Sequence, residues 1–288
     1  MSIVKIPTES SYVEAEGIRF AYRKFGHETG IPLVFFIHFR GTMENWDPEL
    51  IGSLADDRPI ILFDNTGVGE SSGETPSTIA EMAEDAASFI KALGYQQVDI
   101  LGFSIGGMVA QEVALQQPDL VRRLILSGTA PQSGVGLKTR HDVVMAASSD
   151  DAEKAFENFM FLFYHPTESS RAAGTASLKR IMEQKKVNSS PQVLNAQSKA
   201  LAQWSDRVHN QSYDRIHQIK QPVLVTNGVD DIMVPTENSY ILAQQLPDAQ
   251  LIIYPDSGHG HLFQYPRLFA EHVKLFLNSK KYKRVTYN

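Results

Sequence analysis

The sequence predicts an α/β fold: a mostly parallel, doubly wound sheet with an antiparallel hairpin at its start and one all-helical insertion. Three observations predict it. Short apolar runs bounded by turn residues recur along the chain, helix-like segments separate several of them, and one long stretch carries helical pattern alone. Apolar runs without polar alternation suit parallel strands buried on both faces. Strand–helix alternation points to a doubly wound sheet.

Residues 12–16 and 18–25 read as a hairpin around Gly17. Buried strands follow at 33–37, 60–63, 98–101, 121–126, 223–226 and 251–254. A helix over 79–93 starts after Ser77-Thr78 and stops at Gly94. Further helices are expected at 105–117, ending before Pro118, at 236–246, ending before Pro247, and at 262–278, where apolar residues keep helical spacing. Residues 133–217 carry no convincing strand. An insertion of this kind reads as a lid over the strand ends, where ligands sit in open sheets. The chain therefore divides into a core, 1–132 with 218–288, and a lid, 133–217. The lid aromatics Phe156, Phe159, Phe161, Phe163 and Tyr164 either line a substrate cavity or only bind the insertion to the sheet.

Composition narrows the function. The 288 residues are 42% hydrophobic, which supports a sizeable core, and the formal charge of -6 argues against a nucleic-acid partner. The basic cluster Lys280, Lys281, Lys283 and Arg284 reads as a solvated tail. With no cysteine there is no disulfide, thiolate nucleophile or thiolate metal site. No His-Glu-x-x-His spacing occurs, so neither metal nor cofactor is expected. The start of the chain lacks the pattern of a signal peptide, and the apolar run 31–39 is too short to span a bilayer. Asn188 and Asn210 fit the glycosylation pattern by chance on this reading. The expectation is a soluble, cytoplasmic protein with a small-molecule substrate and no nucleic-acid or membrane partner; a homodimer is compatible with it.

The chemistry centres on Gly102-Phe103-Ser104-Ile105-Gly106-Gly107, which follows one strand directly and opens a helix. A serine on such a tight turn is held out at the sheet edge, and small flanking residues let the backbones approach. A second copy of the pattern, Gly69-Glu70-Ser71-Ser72-Gly73, is separated from its strand and followed by Thr75-Pro76, so it reads as a loop. The serine needs a base. His259 follows the strand 251–254, at the same edge as Ser104, with His261 two residues on as the competitor. The base in turn needs an acid, and Asp230 and Asp231 both follow the strand 223–226. The order serine, acid, histidine is the one this fold class uses. Backbone N–H groups of Ile105 and, from the loop His38-Phe39-Arg40-Gly41, of Arg40 are assigned as oxyanion donors. Phe39 and Phe103 are assigned to the substrate pocket.

Together these motifs resemble the lid-bearing α/β-hydrolase family, in the branch of small serine esterases, lactonases and cofactor-free haloperoxidases, over residues 18–277. The resemblance implies Asp231 as the acid, three residues after Gly228 and four before Pro235. It implies Arg40 as the third position of the family's His-Gly-x-Gly loop. Two departures stand out: Phe39 replaces the first glycine, and Asp64-Asn65-Thr66-Gly67 lacks the family's usual arginine. The implied activity is hydrolysis of a small apolar or aromatic ester or lactone through an acyl-serine intermediate. The rivals are perhydrolysis, carbon–carbon bond hydrolysis or lyase chemistry on the same residues, and a ligand-binding receptor with slow turnover. A salt bridge and a contact to a substrate carboxylate compete for the Arg40 guanidinium.

Overall fold

Glu16 and Gly17 take successive positive φ angles of 48° and 78°, the left-handed pair that a two-residue hairpin loop demands. They join β1 (Ser11–Ala15) to β2 (Ile18–Gly26). Six strands follow: β3 (Leu33–Phe36), β4 (Pro59–Phe63), β5 (Val98–Phe103), β6 (Val121–Ser127), β7 (Val223–Gly228) and β8 (Ala249–Tyr254). The computed structural model describes residues 6–137, 140–151, 153–184, 189–206 and 213–279. It arranges the strands in one sheet of order β1-β2-β4-β3-β5-β6-β7-β8. β2 runs antiparallel to β1 and β4, and every other pairing is parallel. Every residue of β3, β4, β5 and β7 is buried, which is why these strands are written in apolar runs rather than alternation. The chain moves outward from β3 to β4 on one side and to β5 on the other. The crevice between β3 and β5 is thus the switch point at which open sheets bind ligands.

Helices cover both faces. The first is α1 (Pro48–Ala55), which the sequence reading passed over: Asp47 caps it by accepting the Glu49 N–H at 2.9 Å, and Pro48 occupies its first turn. Then come α2 (Ile79–Ala92), capped by Thr78, and α3 (Ile105–Gln116). One apolar cluster gathers Phe63, Ile100, Met108 and Val225 on one face. Another gathers Trp46, Leu101, Phe103 and Phe269 on the other.

Between β6 and β7 lie α4 (His141–Ala147), α5 (Ala155–Phe163), α6 (Glu168–Met182) and α7 (Pro191–Trp204), with no strand among the described residues. Specific bonds tie them down. Arg180 donates to both oxygens of Asp47 at 2.8 and 2.6 Å, so one carboxylate caps α1 and anchors α6. Gln192 exchanges hydrogen bonds with the Thr75 backbone, and Trp204 Nε1 donates to the Ala130 carbonyl at 3.2 Å.

After β7 come α8 (Glu237–Gln245), α9 (His261–Gln264) and α10 (Pro266–Asn278). The single helix expected over 262–278 is therefore two. Pro266 has no N–H to continue the ladder and forces Tyr265 out of helical geometry, to φ -120° and ψ 51°. No helix among the described residues is long and apolar enough to cross a membrane. Asn188, Asn210 and the basic residues from Lys280 onward lie outside the described residues.

Candidate active site

Ser104 stands between the last residue of β5 and the first of α3 with φ 59° and ψ -122°, a region that non-glycine residues occupy only under constraint. The constraint is visible. Its N–H donates to Ser127 O at 2.9 Å, and its carbonyl accepts from Gly107 N–H at 2.9 Å and Thr129 Oγ1 at 2.8 Å. Around it there is room only for glycine. A Cβ on Gly102 would lie 2.5 Å from Gly106 O, one on Gly106 2.1 Å from Phe36 O, and one on Gly107 2.6 Å from Thr129 Cβ. These glycines let α3 start directly beneath the end of β3. The competing Ser71 is spent on structure: its Oγ accepts from Ala21 N–H at 2.9 Å and donates to Asp64 O at 2.7 Å, clamping its loop to β2.

Asp231 and His259 come together past the ends of β7 and β8. His259 Nδ1 lies 2.6 Å from Asp231 Oδ2, and both side chains are fully buried. A carboxylate only accepts, so Nδ1 carries the proton and Nε2 is left as a base. Nε2 is buried with no hydrogen-bond partner among the described residues. The other oxygen of Asp231 accepts the N–H groups of Met233 and Val234, each at 2.9 Å, which fixes the carboxylate. Asp230 faces away: it is more than half exposed and pairs with His165 Nε2 at 3.0 Å. His261 is engaged elsewhere. Its Nε2 lies 3.0 Å from Ser127 Oγ and 3.1 Å from Thr226 Oγ1, and its Nδ1 donates to His259 O at 3.2 Å. Burial pushes its pKa down to about 3, so it stays neutral between β6 and β7.

The loop after β3 differs from the sequence expectation. Arg40, the expected second oxyanion donor, has φ 60° and gives its N–H to Gln197 Oε1 at 2.7 Å. Gln197 lines a separate small cavity with Phe20, Phe63 and Thr75, and this N–H is already spent on it. The free donor is one residue earlier. Phe39 N–H has no acceptor among the described residues, and the Phe39 side chain lines the space in front of Ser104. Of the two neighbouring N–H groups in this loop, that of Arg40 is therefore engaged and that of Phe39 is unengaged. The Arg40 guanidinium pairs with Asp150 and donates to Ser149 O at 3.4 Å, the salt bridge of the two options the sequence leaves.

Two cavities meet at Ser104. One, of about 180 Å³, is apolar and runs between Met108 of α3, Val143 of α4 and Leu201 of α7. The other, of about 160 Å³, is shared by His259, His38 and Asn45 and roofed by Phe159, Phe163 and Ile181 of the insertion. Phe39, Ala147 and Met233 line both. Of the lid aromatics, Phe159 and Phe163 thus face the site, one turn apart, whereas Phe156 and Phe161 are among the exposed residues. Phe103 lines neither cavity. Strand alternation turns it to the opposite face from Ser104, where it is fully buried and supports the His259 imidazole. His38, which sequence reasoning used only for its backbone, places its ring in the second cavity. Burial brings its pKa down to about 4, and its Nδ1–H donates to Phe39 O at 3.0 Å.

Comparison with known proteins agrees with the fold. A family model described as the alpha/beta hydrolase fold matches residues 32–266. An alpha/beta hydrolase fold protein from Chitinophaga pinensis superposes with a TM-score of 0.86 at 41% identity, covering 96% of this chain and 99% of that one. Est816, described as an N-acyl homoserine lactone degrading enzyme, superposes with a TM-score of 0.74 at 24% identity over 92% of this chain and 100% of its own, a likeness of fold. The protein named “Putative carbamate hydrolase RutD” of Caulobacter sp. (strain K31) is 28% identical over 239 residues, 82% of this chain and 86% of that one.

Proposed function

The chain belongs to the α/β-hydrolase fold family, and on that premise we propose that it is a serine hydrolase cleaving small apolar esters or lactones. The observation that carries this reading is the 2.6 Å contact between His259 Nδ1 and Asp231 Oδ2, with Nε2 left free in the cavity that Ser104 also lines. In the proposed reaction Ser104 Oγ attacks the substrate carbonyl and gives its proton to His259 Nε2. Asp231 stabilises the resulting imidazolium, and the N–H groups of Phe39 and Ile105 stabilise the oxyanion. The tetrahedral intermediate collapses to an acyl-serine as the leaving oxygen takes the proton from Nε2. Water, deprotonated by the same nitrogen, then releases the acid and restores Ser104.

The proton has to reach the leaving oxygen, so the leaving group occupies the cavity that contains His259. The acyl group occupies the apolar cavity beneath Leu201 and Val143. Because α4, α5, α6 and α7 all contribute to these walls, the insertion 133–217 acts as the lid. A fluorophosphonate probe tests the nucleophile. Peptide mass spectrometry is expected to place the label on Ser104, lost in Ser104→Ala and strongly slowed in His259→Ala. Label on Ser71, or none on a folded protein, would remove the assignment.

A further inference from the structure

Resting on the reading of Ser104 as an acyl-transfer nucleophile, we infer that Gln197 is a positioning residue. By accepting the Arg40 N–H it aims the N–H of Phe39 at the oxyanion. The loop needs such a holder. Arg40, which follows Phe39, sits at φ 60°, a conformation that persists in a non-glycine residue only when its surroundings over-determine it.

Those surroundings come largely from the insertion. Gln197 Oε1 takes the Arg40 N–H at 2.7 Å, and Asp150 with Ser149 O holds its guanidinium. Within the loop itself Gly41 N–H donates to His38 O at 2.9 Å. Gln197 is only 2% exposed. Its helix α7 is pinned on either side of it, at Gln192 to the Thr75 backbone and at Trp204 to Ala130 O. The acceptor is therefore a fixed point. Releasing it leaves the peptide preceding Arg40 held at its carbonyl end alone, by His38 Nδ1–H on Phe39 O at 3.0 Å, so that peptide can pivot and carry the Phe39 peptide with it. Ile37 and Phe36 lie close over Gly106, so a small rotation moves the donor relative to Ile105 N–H and the pair no longer converges on one oxygen.

The role is read in the tetrahedral state, not in ground-state binding. Wild type, Gln197→Leu, Gln197→Asn and Gln197→Glu are compared as full-length chains on p-nitrophenyl butyrate, with phenylboronic acid as the tetrahedral mimic. Gln197→Leu and Gln197→Asn are expected to lose about tenfold or more in kcat, part of what one donor supplies, at an unchanged KM. Phenylboronic acid binding weakens by the same factor. Gln197→Glu, which keeps an acceptor oxygen, restores most of kcat. Gln197→Asn carries the test should the leucine variant not fold. An active wild type whose Gln197→Asn retains kcat and boronate affinity overturns this role alone, as does equal loss in Gln197→Glu. A wild type that hydrolyses no ester and takes no label at Ser104 overturns the acyl-transfer reading and this role with it.

Discussion

The imidazole of His259 lies against the ring of Phe103, with centroids 4.8 Å apart and planes inclined by 33°. Gly128 closes another side: a Cβ there would stand 3.2 Å from the imidazole Cε1 and Nδ1. With Asp231 on Nδ1, the ring is confined by a tilted aromatic contact, a backbone and a hydrogen bond. Phe103→Leu keeps an apolar side chain but removes the flat support. Its kcat is expected to fall about tenfold through lost alignment of the base, with KM little changed. Urea unfolding reports the accompanying core cost, about 1–3 kcal/mol for an imperfect swap of this kind. An unchanged kcat would mean that Asp231 and the Gly128 backbone hold the ring without Phe103.

Two adjacent carboxylates invite a direct comparison. Asp231→Asn removes the acceptor that fixes the Nδ1–H tautomer, and kcat is expected to drop by about 10⁴, the size seen when such an acid is neutralised. Asp230→Asn loses only an exposed pair with His165, and such pairs contribute about 0–1 kcal/mol to stability. Its kcat should match wild type. Steady-state rates on one ester distinguish the two, and a reversal of the pattern would transfer the acid role to Asp230.

His261 makes a stability prediction with a definite sign. Burial lowers its folded-state pKa to about 3, whereas an unfolded histidine titrates near its ordinary 6.5. Below pH 6.5 the unfolded chain takes a proton that the folded chain refuses, so this histidine's contribution is complete above that pH and is lost as pH falls toward 3. The loss amounts to about 1.4 kcal/mol per pH unit. His38, lowered to about 4, acts in the same direction, and Asp64, raised to about 6, acts in the opposite one. Both remain in a His261→Gln variant, so the stability gap between wild type and variant isolates His261. Urea unfolding between pH 7 and pH 4 should show that gap narrowing; a constant gap would mean that His261 protonates freely in the fold.

Much of this arrangement was legible in local chemistry. Buried parallel strands announce themselves as apolar runs, and Gly102, Gly106 and Gly107 mark a turn where backbones must meet, so the elements and the Ser104 elbow follow from the sequence. The choice of Asp231 over Asp230 needed the family resemblance, because adjacent carboxylates differ only in which way the loop turns. That the Arg40 N–H goes to Gln197 and that Phe103 lines neither cavity were illegible for a related reason. Which N–H a loop presents, and which face a strand residue takes at its last position, depend on φ angles and distant partners. Gln197 lies 157 positions from Arg40, and no local pattern reports it.

The division of the site into two cavities determines which half of a substrate each wall selects. Leu201 hangs from α7 over the cavity that lacks His259, so it bounds the acyl group if the proton is to reach the leaving oxygen. Leu201→Trp fills that space. For a p-nitrophenyl series, kcat/KM with octanoate should fall about 10–200-fold relative to acetate, the range that small misfits in an apolar pocket command. Because the leaving group is constant across that series, the effect reports the acyl side alone. A second series, butyrates of alcohols of increasing length, should leave the ratio of variant to wild type unchanged. If instead the variant discriminates among alcohols and tolerates octanoate, the cavities are occupied the other way round. His259 would then have to deliver its proton across Ser104.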